Sequence, residues 1–334
     1  MRLILVLFLT IFLFGFTSGQ EADRPLVVAS ASIFADLAEV ISGGLVEVSM
    51  VVPIGGDPHI YEPTPADVRL VAGADLILVN GLTFEGWMNE LIENSGTRGR
   101  KVIITQGIQP IESEEYENSS DPHAWMDASN GITYAANVRD ALIQIDPENA
   151  EVYRFNAGLY QQQVRDLDSY IQSRIAEVPE SSRVLITSHD AFRYYGRRYG
   201  IRVEAALGTS TDAEVRTDDV ARLTNIIRES GVKAIFVEST INPKLIRQIA
   251  TDNNVIIGGY LYADSLGDSL SPAPTYLEML RYNTDVVVAG LLGQSEDIGI
   301  GAGPSTLEQS VLLGFILAVM LGAFFFMVYK LNGN

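Results

Sequence analysis

Residues 146–179 read DPENAEVYRFNAGLYQQQVRDLDSYIQSRIAEVP, and the organisation of the chain follows from what this stretch can be. Asp146 suits an N-cap, Pro147 the first turn, and Glu148 the positive end of a helix dipole. Val152, Phe155, Leu159, Val164, Leu167, Ile171 and Ile175 keep near-helical spacing until Pro179 closes the segment. About 32 residues of helix would span roughly 48 Å. A helix of that length fits a rigid link between two lobes, and it fits equally a surface helix lying on one.

The flanks carry the same rhythm twice. Before the helix, short apolar runs at Leu26–Ser30, Val46–Val52, Asp75–Asn80 and Lys101–Thr105 predict strands. They alternate with helical patterns at Ile33–Ile41, Pro65–Ala72 and Phe84–Asn94. After it, strands are expected near Arg183–Thr187, Arg202–Leu207, Lys233–Glu238 and Val255–Tyr260, with helices near Ala191–Tyr199, Thr217–Ser230, Pro243–Asp252 and Thr275–Leu292. Buried β-branched runs alternating with helices predict an α/β fold, with parallel sheets covered on both faces.

Both ends of the chain are apolar. Arg2, the run Leu3–Phe16 and the small residues up to Gly19 predict an export signal over residues 1–19. Val311–Tyr329 contains nineteen uncharged residues, roughly 28 Å of helix, enough to cross a bilayer. Lys330 directly behind it favours a cytoplasmic C-terminus. Residues 293–310, rich in Gly and Ser, read as a flexible tether. The part between is therefore expected outside the membrane.

The formal net charge is −19, from 42 acidic and 23 basic residues, which excludes the basic footprint a nucleic-acid phosphate backbone requires. With no cysteine there can be no disulfide, no thiolate metal site and no lipid on an N-terminal cysteine. A metal would have to be held by nitrogen and oxygen. The three histidines, His59, His123 and His189, all fall where a strand gives way to a helix, the place where βα folds gather ligand groups. Two lie in the first half and one in the second, so a shared site is expected. Neutral imidazole suits zinc, manganese and their first-row neighbours, and a carboxylate would complete the set. Asp264, just past the last expected strand, is the candidate, with Asp268 as an alternative.

Several stretches together resemble the metal-specific substrate-binding proteins of bacterial zinc and manganese ABC importers. They include Gly55-Gly56-Asp57-Pro58-His59-Ile60-Tyr61-Glu62-Pro63, Glu85-Gly86-Trp87, Asp121-Pro122-His123-Ala124-Trp125 and Ser188-His189-Asp190-Ala191-Phe192. Later come Ala234–Glu238, Tyr262-Ala263-Asp264-Ser265-Leu266 and Thr275–Met279. The resemblance runs from about Leu26 to Leu292. It implies two Rossmann-like βα lobes, 26–145 and 180–292, joined by the 146–179 helix, with one Zn2+ or Mn2+ ion as cargo in the cleft. His59 and His123 would be ligands from the first lobe, His189 and Asp264 from the second. The implied partners are an importer permease and its ATPase, and no reaction is catalysed. Two departures stand out. Ile111–Ser120 is Glu-rich where many zinc-specific members carry a histidine-rich loop, and the lipidated cysteine of many members is missing, a gap the C-terminal helix could fill. An extracellular zinc metallohydrolase and a surface adhesin are the rival readings. The first would need an open metal position and a general base, and no His-Glu-x-x-His helix is present.

Overall fold

A computed structural model describes residues 24–112, 119–211 and 217–295. The expected export signal and membrane helix lie outside the described residues, as does all of the tether beyond its first three positions. Among the described residues, no helix is long and apolar enough to cross a membrane.

The first half builds one four-stranded parallel sheet from β1 (Leu26–Ala29), β2 (Glu47–Met50), β3 (Leu76–Val79) and β4 (Arg100–Ile103), in the order β2-β1-β3-β4. Helices α1 (Ser32–Ser42), α2 (Pro65–Ala72) and α3 (Met88–Ser95) alternate with these strands, and α4 (Gly131–Ile145) follows the last. β3 is buried throughout, as the unbroken Leu-Ile-Leu-Val requires of a strand covered on both faces. The order reverses beside β1, and in open α/β sheets such a switch point, at the carboxyl ends of the strands, is where ligand groups meet.

The second half pairs β5 (Val184–Thr187) with β6 (Arg202–Ala205), and β7 (Ala234–Glu238) with β8 (Ile256–Leu261), both in parallel. Between and after them run α6 (Arg193–Tyr199), α7 (Thr217–Ser230), α8 (Lys244–Asn253) and α9 (Tyr276–Leu292). The Gly258–Gly259 pair lets β8 lie close to its neighbours, since a Cβ on Gly258 would meet Phe236 at 2.9 Å and one on Gly259 would meet Val286 at 2.4 Å.

The connecting helix α5 runs from Ala150 to Ala176, 27 residues and roughly 40 Å, shorter than the sequence pattern predicts. Pro147–Asn149 form a separate 3-10 turn. Asp146 does not cap the helix; its carboxylate accepts from Asn149 Nδ2 at 2.7 Å and from the Tyr153 hydroxyl. The buried stripe also differs in the first half of the helix. Tyr153, Ala157 and Tyr160 face the core, while Val152, Phe155 and Leu159 are 42, 66 and 54% exposed. Tyrosine offers a large apolar ring with a polar tip, and pattern reading that counts it as polar places the stripe one residue off. From Val164 onward the stripe is as expected, and Val164, Leu167, Ile171 and Ile175 are buried. Each such side chain contributes about 1.5–3 kcal/mol on full burial. They join residues of both halves in one core with Phe34, Trp125, Tyr134 and Tyr276.

The expected helix at Phe84–Asn94 begins only at Met88. Gly81, Leu82 and Thr83 all have positive φ, and this left-handed turn directs Phe84 inward, where it is 1% exposed.

Candidate metal centre

The segments that follow four strands supply the four side chains. His59 lies in the loop after β2, His123 in the segment after β4, His189 two residues past β5, and Asp264 three residues past β8. Each brings one ligand atom to a point where all four lie within 4.8 Å of one another. His123, His189 and Asp264 are fully buried, and the His59 side chain is 4% exposed. Asp268 stays outside the group, on an exposed turn where it accepts from the amide of Leu270 at 3.0 Å.

The spacing approaches that of a coordination shell. His123 Nε2 stands 3.2 Å from His59 Nε2 and 3.3 Å from His189 Nε2. Asp264 Oδ1 is 3.3 Å from His123 Nε2, and Asp264 Oδ2 is 3.2 Å from His189 Nε2 and 3.9 Å from His59 Nε2. A tetrahedron of donors about 2.0–2.1 Å from a zinc ion has edges of about 3.3–3.4 Å. Both Asp264 oxygens are buried without a hydrogen-bond partner of acceptable geometry. A buried carboxylate left in that condition costs free energy unless a cation meets it.

Outer residues hold the imidazoles in the orientation a ligand needs. Asp121 Oδ1 accepts from the His123 backbone amide at 2.9 Å and lies 2.8 Å from its Nδ1. Glu238 Oε1 accepts from the His189 amide at 2.9 Å, and its Oε2 is in close contact with His189 Nδ1, off the line of a well-formed hydrogen bond. A proton on each Nδ1, facing a carboxylate, leaves the Nε2 lone pairs turned to the common centre. Phe84 stands edge-on to His59 at 5.0 Å between centroids, and Trp125 stands 5.3 Å from His123, so the near walls are apolar. Trp125 Nε1 donates to the carbonyl of Ala263 at 2.9 Å, fastening the wall beside His123 to the residue before Asp264.

The electrostatics follow from three buried carboxylates among three imidazoles. Burial alone would lower the His123 pKa, but the carboxylates of Asp121 and Asp264 beside it outweigh burial and push it up to about 9. His189 is likewise raised, burial being overcome by the charges of Glu238 and Asp264. Burial would raise Asp264, yet the neighbouring imidazoles hold it well below the usual carboxylate range. The cluster thus binds positive charge strongly, as protons when nothing else is there.

Asp57, Asp121 and Glu238 carry no role in the sequence reading. For the first two a local signal exists: Asp-Pro-His occurs twice, at 57–59 and at 121–123, and in both the aspartate accepts from the amide of the histidine two residues on, at 2.9 Å. Glu238, 49 residues from the histidine it supports, has no local signal.

Comparison with known proteins agrees in sequence and in structure. Residues 27–290 match the family model described as zinc-uptake complex component A, periplasmic. A manganese-binding lipoprotein of Halalkalibacterium halodurans is 36% identical over 274 residues, covering 82% of this chain and 91% of that one. A manganese ABC transporter substrate-binding lipoprotein of Streptococcus anginosus is 31% identical over 283 residues, covering 82% and 91%. The solved periplasmic zinc-binding protein of Treponema pallidum superposes with a TM-score of 0.76 at 33% identity, over 80% of this chain and 99% of that one.

Proposed function

Because the chain belongs to the family of periplasmic zinc-uptake complex component A, we propose that it is an extracytoplasmic receptor that binds one transition-metal ion and delivers it to an ABC importer. The ion, zinc or manganese, is cargo, held by His59, His123, His189 and Asp264. The observation that carries this reading is the closure of four donors to within 4.8 Å of one another around two unpartnered carboxylate oxygens. Four protein donors leave no open position of the kind a hydrolytic zinc keeps for water, which favours holding an ion over turning over a substrate.

In the same reading residues 1–19 direct export, residues 26–145 and 180–292 are the two metal-holding lobes, and 146–179 is the element between them. Relatives of this chain are named as lipoproteins, whereas this chain has no cysteine to carry a lipid. The apolar stretch 311–329, behind the 293–310 tether, takes the anchor's place in this proposal, with the lobes on the outer face of the cell membrane.

Metal analysis of the purified chain tests the site. One ion per chain is expected, and the His59→Ala/His123→Ala/His189→Ala variant should retain the fold and lose the ion. Parent-like affinity in that variant would refute the assignment.

A further inference from the structure

The two Asp-Pro-His turns fix their histidine amides in the same way and then diverge. Asp121 spends its second contact on the ring of its own histidine, 2.8 Å from His123 Nδ1. Asp57 does not. While its Oδ1 holds the His59 amide at 2.9 Å, its Oδ2 accepts the hydroxyl of Thr211 at 2.6 Å, from a residue 154 positions on in the second half of the chain.

Thr211 stands on the segment leaving β6, and that segment is itself fastened to the His189 strand end. Leu207 donates its amide to the carbonyl of Ser188 at 2.9 Å, and Asp190 donates its amide to the carbonyl of Gly208 at 3.1 Å. Hydrogen bonds and the short stretch from Gly208 to Thr211 therefore join the residues flanking His189 to the turn that carries His59. This line crosses the cleft at the Thr211 hydroxyl; a second tie from the same loop, Gly55 N donating to Ser265 Oγ at 2.7 Å, runs instead to the residue after Asp264. The His59 ring is the least buried of the four ligand side chains, 4% exposed against 0% for His123, His189 and Asp264.

We propose that Asp57 is a positioning residue that makes the grip of His59 on the ion depend on the opposite lobe, so that parting of the Asp57–Thr211 hydrogen bond starts metal release. This deepens the receptor reading above and rests on it. The charged acceptor and the neutral donor form the stronger class of hydrogen bond, so its loss should be felt in the rate of departure. Nothing in it touches the approach of an ion to the three buried ligands.

The test uses the full chain and zinc. Thr211→Val is nearly isosteric and removes the hydroxyl; Thr211→Ser keeps it. Zinc dissociation is followed by stopped flow into excess chelator, and association by mixing with limiting zinc. The expected result is one zinc per chain in all forms, dissociation about tenfold faster in Thr211→Val, association within about twofold of the parent, and recovery of the parent rate in Thr211→Ser. Asp57→Asn, with one acceptor oxygen for two donors, should also release faster, and the Asp57→Asn/Thr211→Val pair should show less than the sum of its single effects. A Thr211→Val chain that binds one zinc and releases it at the parent rate overturns the clasp alone. Additive effects in the double variant also overturn it. A parent chain that takes up neither zinc nor manganese overturns the receptor reading and the clasp with it.

Discussion

Replacing Glu238 by Gln isolates the contribution of a residue that touches no ion. Glu238 is fully buried at the end of β7, and both of its oxygens face donors on His189: Oε1 the amide at 2.9 Å, Oε2 the ring Nδ1. Glutamine keeps the shape but has one acceptor. If the amide NH2 meets the ring, Nδ1 must become the acceptor, the proton moves to Nε2, and the lone pair that faces the cluster is lost. If the NH2 instead meets the backbone amide, two donors confront each other in a buried site, at a cost of about 1–3 kcal/mol. In either orientation the imidazole also loses the carboxylate that raises its basicity. Outer-shell substitutions of this kind weaken metal affinity about 10–100-fold, which is about 1.4–2.7 kcal/mol. Zinc affinity of Glu238→Gln, measured by competition with a chromophoric chelator at pH 7.5, should fall within that range. The exposed Glu229→Gln serves as the control for charge alone. A folded Glu238→Gln chain whose zinc affinity stays within about threefold of the parent would refute the tautomer argument.

The other predictions concern protons, ligand count and anchoring. His123 is raised to about 9 from an unfolded value near 6.5, so the stability it lends the metal-free chain is fully present below about pH 6.5 and is lost as pH rises through about 9. Thermal melts of metal-free protein should therefore drop across that interval, and zinc uptake at pH 7.5 should release at least one proton, read by calorimetry in buffers of different ionisation enthalpy; a flat melt profile with no proton release would sink the assignment. With His123 shifted upward from the ordinary imidazole value near 6.5, metal affinity should begin to fall nearer pH 9 as pH drops. The parent chain should bind zinc more tightly than manganese, and Asp264→Asn should weaken manganese more than zinc, widening their ratio at least about tenfold in paired titrations, because manganese asks for more oxygen donors; equal losses would argue against both Asp264 oxygens serving the ion. A chain ending at Ser305 should appear in the soluble fraction and still bind metal, whereas the full chain should sediment with membranes; full-length protein in the soluble fraction would count against the anchor.

Much of the fold was legible because its signals are local. An unbroken Leu-Ile-Leu-Val set between helical patterns reads as a covered strand, and residues such as Gly293 behind a helical pattern mark its end. What misled was also local. Which face the first half of α5 buries turns on whether Tyr153 and Tyr160 count as core, and only the packing around them decides it. The delay of α3 to Met88 turns on a left-handed Leu82 and Thr83, conformations no propensity favours. At the site, the histidines announce themselves by scarcity and by their strand-end positions. Asp264 and Asp268, four residues apart, are not separable by spacing. The structure puts one in the buried cluster and the other in a surface turn. The outer carboxylates were least legible. Glu238 is an ordinary strand-end acid until the chain folds and sets it against a histidine 49 residues away.

The arrangement of those carboxylates bears on how an ion could be both held and surrendered. Asp121, Glu238 and Asp264 are all fully buried, and with neutral imidazoles they place three negative charges in one small volume. A divalent ion reduces that to one, and it satisfies the two Asp264 oxygens that have no other partner. Without the ion, protons on the imidazoles take over part of the compensation, as the raised His123 and His189 and the lowered Asp264 require. Metal and protons are thus alternative occupants of one buried charge deficit. The donors divide evenly, His59 and His123 before α5, His189 and Asp264 after it. On the receptor reading, separating the two halves would leave each with only two of the four ligands and admit water to the carboxylates. Affinity that rests on four simultaneous donors and a water-free environment is lost steeply when either is relaxed, so a modest opening suffices for release.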